Sequence, residues 1–408
     1  MNSSTTTPHA GREAPLTVLH VAQPVEGGVA RVVSDLVRAQ VAAGITVAAA
    51  CPARGTLASS LRGLGGRVRA WEAERDPGLA VAAEARRLAR LVGEVRPDVV
   101  HAHSAKAGLA ARLAVRGRVP TVFQPHAWSF EAVTGSTATL ARRWEQYAAR
   151  WSARVVCVSE AERRTGLRAG VRARWSVIPN GVDTDLFSPG PAALPAPGPL
   201  AAGGPAAARR PVDAPGPLVV CVGRLCRQKG QDVLLAAWPR VLRELPGARL
   251  VLVGEGPEPE ERRLRDAAAS LASVSFQGAV SDPAPWYRAA DLVVLPSRWE
   301  GMALAPMEAM ACARAVVVTD VGGSRESLPP GHVPYCLVPP EDPGALARAV
   351  VGVLADARLR DALALAGRRH VLRSHDVRRT AEQFAELYRE LLGARPDDPR
   401  QNRENSAL

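Results

Sequence analysis

Short apolar runs rich in β-branched residues alternate with helical segments along nearly the whole chain, and this alternation limits the possible folds most strongly. In the first half, the run LTVLHVA (16–22) is followed by Gly27-Gly28 and then by apolar residues at helical spacing. In the second half, the runs 218–224 and 248–256 begin the same pattern again. Strands that alternate with helices predict parallel sheets covered on both faces. We therefore expect an α/β protein with two doubly wound, Rossmann-like domains that face each other across a cleft.

A segment rich in Pro, Ala and Gly separates the two series of strands. Residues 188–217 contain few core-forming side chains, which is typical of a linker or a surface insertion. The predicted organisation, in chain order, is a disordered leader (1–14), a first domain (15–187), the linker (188–217), a second domain (218–375), a helix that returns to the first domain (376–392) and a polar tail (393–408).

Charge and composition exclude several classes of protein. The net charge is +12, but the basic residues are dispersed and aromatic residues are only 4%, so we expect no nucleic-acid partner. The six cysteines form no CxxC pair and are expected to be buried thiols. The N-terminal residues have no apolar run typical of a secretory signal, which predicts a cytoplasmic protein.

The densest motif lies between residues 298 and 327. Glu300 sits in the turn before a predicted helix that contains Glu308, and a second glycine turn, Gly322-Gly323, follows the next strand. The backbone of Gly301, Met302, Ala303 and Leu304 would present N–H groups at the helix N-terminus, where phosphate or a sugar edge can bind. Two carboxylates there can accept hydrogen bonds from vicinal hydroxyls. The alternative is a capped helix with two solvated glutamates.

A basic turn follows the first strand of the second domain. Arg224 and Lys229 would both lie at the end of that strand, where they can neutralise a diphosphate. Lys229 is one of only two lysines in the chain, the other being Lys106, so its retention among many arginines favours a specific role. A solvated basic turn is the alternative.

Histidines mark strand ends in the first half. His101 and His103 follow one predicted strand and His126 follows another, and each can hydrogen-bond a substrate hydroxyl or serve as an ordinary core residue. The pair His101 and His103 has no third ligand at helical spacing, so we predict no metal site there. The DxD pattern at Asp183 and Asp185 follows a predicted turn and is interpreted as structural.

Taken together, these motifs resemble the family 4 retaining glycosyltransferases of the GT-B fold. The resemblance covers nearly all of 16–390, and the motifs occur in the family's order: GGVA, RPDVVHAHSAKAG, PHAWSF, VCVSEAER, VIPNGVDTDLF, VGRLCRQKG, VLVGEGP, the Glu300 and Glu308 pair, and TDVGGSRE. One departure is Pro125-His126-Ala127, where the family usually has Pro-His-Gly.

The resemblance implies roles for individual residues. Arg224 and Lys229 would hold the diphosphate of a nucleotide-sugar donor, Glu308 the ribose diol, and Glu300 the transferred sugar or the phosphate region. The donor would also contact Gly28 and the backbone at 301–304, and His126 would lie near the transferred sugar. His126, Glu300, Arg224 and Lys229 are the expected catalytic residues. The acceptor side would include His103 and Lys106.

The expected reaction moves a sugar to a hydroxyl acceptor with retention of configuration, without a metal ion and without a further cofactor. The acceptor would be a glycan, a lipid-linked sugar or a small polyol. Two alternatives remain open: a nucleotide-sugar epimerase of the same fold, and a non-catalytic nucleotide-sugar binding protein. Basic residues of the first domain suggest contact with anionic lipid at the inner membrane face, and solvated helix faces are the alternative. The residues considered are Arg86, Arg87, Arg90, Arg142 and Arg143.

Overall fold

A computed structural model describes residues 16–74, 78–192 and 216–393. The predicted leader (1–14), most of the predicted linker (188–217) and nearly all of the predicted tail (393–408) lie outside the described residues. The alternation of strands and helices expected from the sequence is present in both halves.

The first sheet is wholly parallel, with strand order β3-β2-β1-β4-β5-β6-β7. Its strands are β1 (Thr17–Ala22), β2 (Thr46–Cys51), β3 (Arg67–Ala70), β4 (Val99–His103), β5 (Thr121–Gln124), β6 (Arg154–Cys157) and β7 (Trp175–Val177). The helices in this half are α1 (Gly27–Ala42), α2 (Thr56–Gly63), α3 (Val81–Val95), α4 (Ser104–Val115), α5 (Gly135–Ala148) and α6 (Glu160–Arg168).

The second sheet is also parallel and has the order β10-β9-β8-β11-β12-β13. Its strands are β8 (Leu218–Val222), β9 (Arg249–Val253), β10 (Val274–Gly278), β11 (Leu292–Leu295), β12 (Ala315–Thr319) and β13 (Leu337–Val338). The helices that follow β8 are α7 (Gln231–Glu244), α8 (Glu258–Ala268), α9 (Ala284–Ala289), α10 (Leu304–Ala311), α11 (Ser324–Ser327), α12 (Val333–Cys336), α13 (Pro343–Ala355), α14 (Ala357–Ser374) and α15 (Val377–Gly393).

Side-chain chemistry explains why these segments adopt these structures. The run AVVVT of β12 is buried at every position, as expected for a central strand covered by helices on both faces. Helix α13 begins where the Asp342 side chain accepts a hydrogen bond from the Ala345 N–H, with Pro343 at the first helical position. The fold class predicted from the sequence is confirmed.

The last helix returns to the first sheet. Ala381, Phe384 and Tyr388 of α15 are buried in the same apolar cluster as residues of α1 and β1. The chain passes between the two halves twice, and the two connecting segments run side by side. Val182 of one segment pairs with Asp376 of the other in a parallel bridge. The crossing is tight, because a Cβ atom on Gly181 would lie 2.5 Å from Val377 Cα.

In each sheet the direction in which successive strands are added reverses at the centre. The reversal lies between β1 and β4 in the first sheet and between β8 and β11 in the second. Ligands of open α/β sheets bind beyond the carboxyl ends of the strands at such a switch point. Gly27-Gly28 follows β1, His103 ends β4, Arg224 follows β8 and Glu300 follows β11. The fold thus places the predicted site residues of each half at its switch point.

Candidate active site

Lys229 and Glu300 form a close ion pair in the second-domain half of the candidate site. Lys229 Nζ lies 2.5 Å from Glu300 Oε1, and the Ser297 hydroxyl donates to the same oxygen at 2.7 Å. The Glu300 side chain is only 8% exposed, so the ammonium supplies most of the compensation for its buried charge. Ser297 is in turn fixed by Thr319, whose hydroxyl donates to the Ser297 carbonyl at 2.5 Å. The sequence analysis did not single out Ser297 or Thr319.

Arg224 lies on the side of this site that faces the first domain. Its guanidinium donates to Gln228 Oε1 at 3.3 Å, and its carbonyl accepts from the Gln231 amide at 2.9 Å. A Cβ atom on Gly27 would lie 3.7 Å from Arg224 Cδ, whereas one on Gly28 would meet no atom within 4 Å. Gly27-Gly28 therefore brings bare backbone next to a cation, with open space beside it.

The loop before α10 is held by contacts from both sides. Gly301 O accepts from Gly323 N at 2.6 Å, and Met302 O accepts from the Asn180 amide of the first domain at 2.8 Å. Gly322 has a φ of +50°, and a Cβ atom there would lie 1.8 Å from Glu300 O, so only glycine fits. Ala303 is the N-cap residue of α10, whose first N–H groups have no partner within the helix.

Glu308 is buried within α10 and bonded to a tyrosine. The Tyr287 hydroxyl of α9 donates to Glu308 Oε2 at 2.7 Å. Burial raises the pKa of Glu308 to about 7, while this hydrogen bond and the charge of Arg31 on α1 act in the opposite direction. Tyr287 and Arg31 were not predicted from the sequence. The first is an ordinary aromatic in a helix, and the second lies in the other domain.

His126 lies opposite Gly301 across the cleft. A Cβ atom on Gly301 would lie 3.0 Å from the carbonyl carbon of His126. His126 and Ala127 have φ values of +57° and +108°, so the turn keeps a left-handed backbone although Ala127 stands where the family usually has glycine. Glu162 holds this turn: its carboxylate accepts from Ala127 N at 2.6 Å and from Val158 N at 2.7 Å.

The Ala127→Gly variant is expected to be more stable than the parent. Glycine relieves a conformation that destabilises an alanine by about 1–3 kcal/mol, and the greater freedom of glycine in the unfolded chain offsets part of the gain. We expect a net increase of about 1 kcal/mol in the free energy of unfolding, measured by urea denaturation. Ala132→Gly is the matched control, because Ala132 has a φ of −86° in the same loop and should lose stability. An Ala127→Gly variant that is less stable than the parent would show that the backbone of Ala127 is not strained.

Two residues expected on the acceptor side, Lys106 and His103, have partners within the first domain. Lys106 is buried, and its ammonium lies 2.8 Å from Glu84 Oε2 between α3 and α4, which indicates a structural ion pair. His103 is fully buried between His20 and His126. Both side chains are buried within the first domain, and their place on the acceptor side stays a prediction.

The domains also meet through a helix terminus. Glu326 of α11 accepts from Glu160 N at 2.7 Å and from Ala161 N at 2.8 Å, at the start of α6. Its carboxylate complements the positive end of that helix from the other domain. Asp183 of the DxD pattern accepts from the backbone of Asp185 and Leu186 and pairs with Arg38 at 2.5 Å. Its carboxylate thus serves a turn and an ion pair.

The chain has two Rossmann-like domains that face each other across a cleft. One side of the cleft carries cations and two buried carboxylates, and the other carries a glycine turn and a histidine. This arrangement defines the GT-B class of glycosyltransferases. Residues 26–186 match the family model described as Glycosyltransferase Family 4, and residues 216–356 match Glycosyl transferases group 1.

The chain belongs to glycosyltransferase family 4. It is 32% identical over 314 residues to a D-inositol 3-phosphate glycosyltransferase of Xylanimonas cellulosilytica, covering 73% of each chain. It is also 32% identical over 228 residues to a GDP-mannose-dependent phosphatidylinositol monomannoside mannosyltransferase of Mycolicibacterium smegmatis, covering 53% of this chain. The match spans only 57% of that mannosyltransferase. The solved structure of Anabaena Alr3699/HepE with UDP and glucose has the same fold, with a TM-score of 0.75 at 22% identity, covering 91% of this chain and 99% of the other.

Proposed function

We propose that this chain is a retaining glycosyltransferase that moves a sugar from a nucleoside-diphosphate-sugar to a hydroxyl acceptor without a metal ion. The observation that carries this proposal is that Arg224 lies beside the bare backbone of Gly27-Gly28, while the Lys229–Glu300 pair lies at the same end of the second sheet. That arrangement offers a diphosphate open space, the Arg224 guanidinium and the Lys229 ammonium, which it would share with Glu300. The named relatives, which include mannosyl- and inositol phosphate glycosyltransferases, support the same reaction class.

In the proposed reaction, the leaving diphosphate helps to deprotonate the acceptor on the face from which it departs. Arg224, Lys229 and the N-terminus of α10 stabilise the charge that develops on the diphosphate, which is the largest catalytic contribution expected of the site. These cations take the place of a divalent metal. Glu308 receives the ribose diol, and the His126 turn adjoins the transferred sugar.

Donor binding and product configuration test this proposal. Thermal unfolding is measured with UDP, GDP, ADP and their common sugars, in the presence of EDTA, and the anomeric configuration of the product is then read by NMR. We expect one nucleotide to stabilise the protein despite the chelator and the product to retain the donor's configuration. An inverted product, or binding that requires Mg²⁺, would contradict the proposal.

Acceptor dependence separates the alternatives. An epimerase would convert the nucleotide-sugar without an acceptor, and a non-catalytic binding protein would bind it without turnover. The transferase predicts release of the nucleoside diphosphate in proportion to the acceptor that is glycosylated. The relatives differ in the donors and acceptors that their names state, so a panel of glycans, polyols and lipid-linked sugars is needed.

We further propose that the first domain contacts an anionic membrane through one face of α5 and the turn after it. This surface, here the α5 face, consists of Leu140, Arg143, Tyr147 and Arg150, all exposed, with Leu140 at 70% and Tyr147 at 53%. Apolar and aromatic groups flanked by arginines are typical of helices that lie at a lipid interface. Among the described residues, no helix is long and apolar enough to cross a membrane.

Vesicle sedimentation tests the α5 face. The parent is expected to bind vesicles that contain phosphatidylglycerol and to be released by high salt, because each arginine contributes about 1 kcal/mol at an anionic surface. The double variant Leu140→Ser, Tyr147→Ser should bind several-fold more weakly. The control removes the exposed arginines of α3 (Arg86, Arg87 and Arg90) and keeps the exposed Leu79 that precedes this helix. Equal loss in both variants would refute the α5 face.

A further inference from the structure

A row of side chains runs from His126 into the interior of the first domain. His126 Nε2 lies 3.2 Å from His103 Nδ1, and His103 Nε2 lies 2.9 Å from His20 Nδ1. His20 Nε2 lies 2.8 Å from Oε1 of Gln40, on α1. We call these four residues the histidine row. Its inner members, His103, His20 and Gln40, are fully buried.

The three rings of the row are neutral near pH 7. Burial lowers the pKa of His20 to about 4 and that of His126 to about 3, and it lowers the pKa of His103 well below its ordinary value. Each neutral ring has one N–H and one bare nitrogen. Adjacent rings can therefore hydrogen-bond only if every N–H in the row points in the same direction, which is decided at the Gln40 end.

We infer that Gln40 fixes the tautomer of His126 through the histidine row. The Gln40 oxygen can only accept, so His20 carries its proton on Nε2 and accepts from His103 with Nδ1. His103 then accepts from His126 Nε2–H with its own Nδ1. The Gln40 amide is oriented by its NH₂ group, which donates to the Tyr388 hydroxyl oxygen at 3.4 Å.

His126 is left with a bare Nδ1. Among the described residues no protein group hydrogen-bonds to this atom, and His126 is half-buried at the cleft. The consequence for catalysis rests on the proposed function: beside the transferred sugar, Nδ1 is a fixed acceptor for one sugar hydroxyl and does not supply a proton. Gln40, His20 and His103 act as positioning residues for this acceptor.

A bound cation is the competing arrangement. His20, His101 and His103 offer ring nitrogens that all lie within 4.8 Å of one another, a spacing that could hold a metal ion. Such an ion would need bare nitrogens on both His20 and His103, whereas the row places a proton between these two atoms at 2.9 Å. The two arrangements exclude each other, so metal content is part of the test.

The test is ¹⁵N NMR of the protein labelled at histidine, without substrate. Nitrogen shifts and couplings distinguish the two neutral tautomers, and the signals of His126 are assigned by their absence in His126→Gln. Gln40→Met removes the acceptor at nearly constant volume. Ser34→Ala is the matched control, because Ser34 is a buried polar residue of α1 outside the row. Metal content is measured on the same samples by mass spectrometry.

We expect the parent and Ser34→Ala to show His126 protonated on Nε2 alone, and Gln40→Met to show a mixture of tautomers. Once a donor is known, kcat/KM of Gln40→Met should fall about tenfold, with circular dichroism unchanged. A proton on Nδ1 of His126 in the parent, no effect of Gln40→Met, or one equivalent of bound metal would each overturn the inference. The NMR measurement needs no substrate, so it tests the tautomer of His126 even if the transferase proposal fails. Failure of the two proposals can therefore be distinguished.

Discussion

Lys229→Met is expected to lower kcat/KM for the nucleotide-sugar by about 10²–10³, the usual effect of removing one preorganised hydrogen-bond donor from developing negative charge. Lys229 Nζ is 2.5 Å from Glu300 and is largely shielded from water, so its charge acts in a medium of low polarity. Both kcat and donor affinity should fall, because the diphosphate carries charge in the ground state and more in the transition state. Steady-state kinetics measures the change in kcat, and calorimetric binding of the nucleoside diphosphate measures the change in donor-site affinity.

Arg227→Ala is the matched control for this variant. Arg227 carries the same charge in the same turn, but it is exposed and packs near the Trp299 ring. Long-range attraction of a diphosphate would be weakened equally by either substitution and would be screened by salt. We expect Arg227→Ala to change kcat/KM by no more than about threefold, within the effect of an exposed charge. Equal losses in the two variants would remove Lys229 from the proposed diphosphate site.

The sheet positions of the site residues could be predicted because parallel α/β folds concentrate ligand contacts at strand ends. Apolar runs predicted the strands, and glycines and charged residues directly after them indicated candidate half-sites at Gly28, Arg224 and Glu300. Those inferences need only local sequence and the known geometry of parallel sheets.

Residues that depend on distant partners could not be predicted in this way. Lys106 was singled out because lysine is rare in this chain, and its ion pair with Glu84, on another helix, could not be foreseen. His20 precedes its partner His103 by 83 residues, and only the pairing of β1 with β4 brings them together. Tyr287 likewise meets Glu308 through the packing of α9 on α10. In each case the contact is tertiary, and no local spacing encodes it.

Glu308→Gln is expected to weaken donor binding about tenfold to a hundredfold at pH 8, since hydrogen bonds to a charged group contribute about 1.5–3 kcal/mol. A carboxylate can accept from both hydroxyls of the proposed ribose diol, whereas an amide has one accepting oxygen. The pKa of Glu308 is about 7, so the parent should bind donor more tightly as the pH rises from 6 to 8. Affinity of the variant should be nearly independent of pH over that range.

Glu308 is also expected to make the stability of the ligand-free protein depend on pH. Its folded pKa is raised from 4.5 to about 7, so between these values the folded state holds a proton that the unfolded state has lost. The contribution of Glu308 to stability therefore falls as the pH rises from about 4.5 to 7, by about 3 kcal/mol in total. Denaturation of the parent and of Glu308→Gln at each pH isolates this contribution, because Glu162 and Asp35, which also have raised pKa values, titrate in both proteins.

Tyr287→Phe distinguishes a titrating Glu308 from a general effect of pH on the site. The tyrosine hydroxyl stabilises the ionised carboxylate, so its removal should raise the pKa of Glu308 further. The pH at which donor affinity improves should then move upward, while affinity well above that pH stays close to the parent's. If the midpoint is unchanged in Tyr287→Phe, or if Glu308→Gln keeps the parent's pH profile, another group controls donor binding and Glu308 is not the carboxylate that receives the diol.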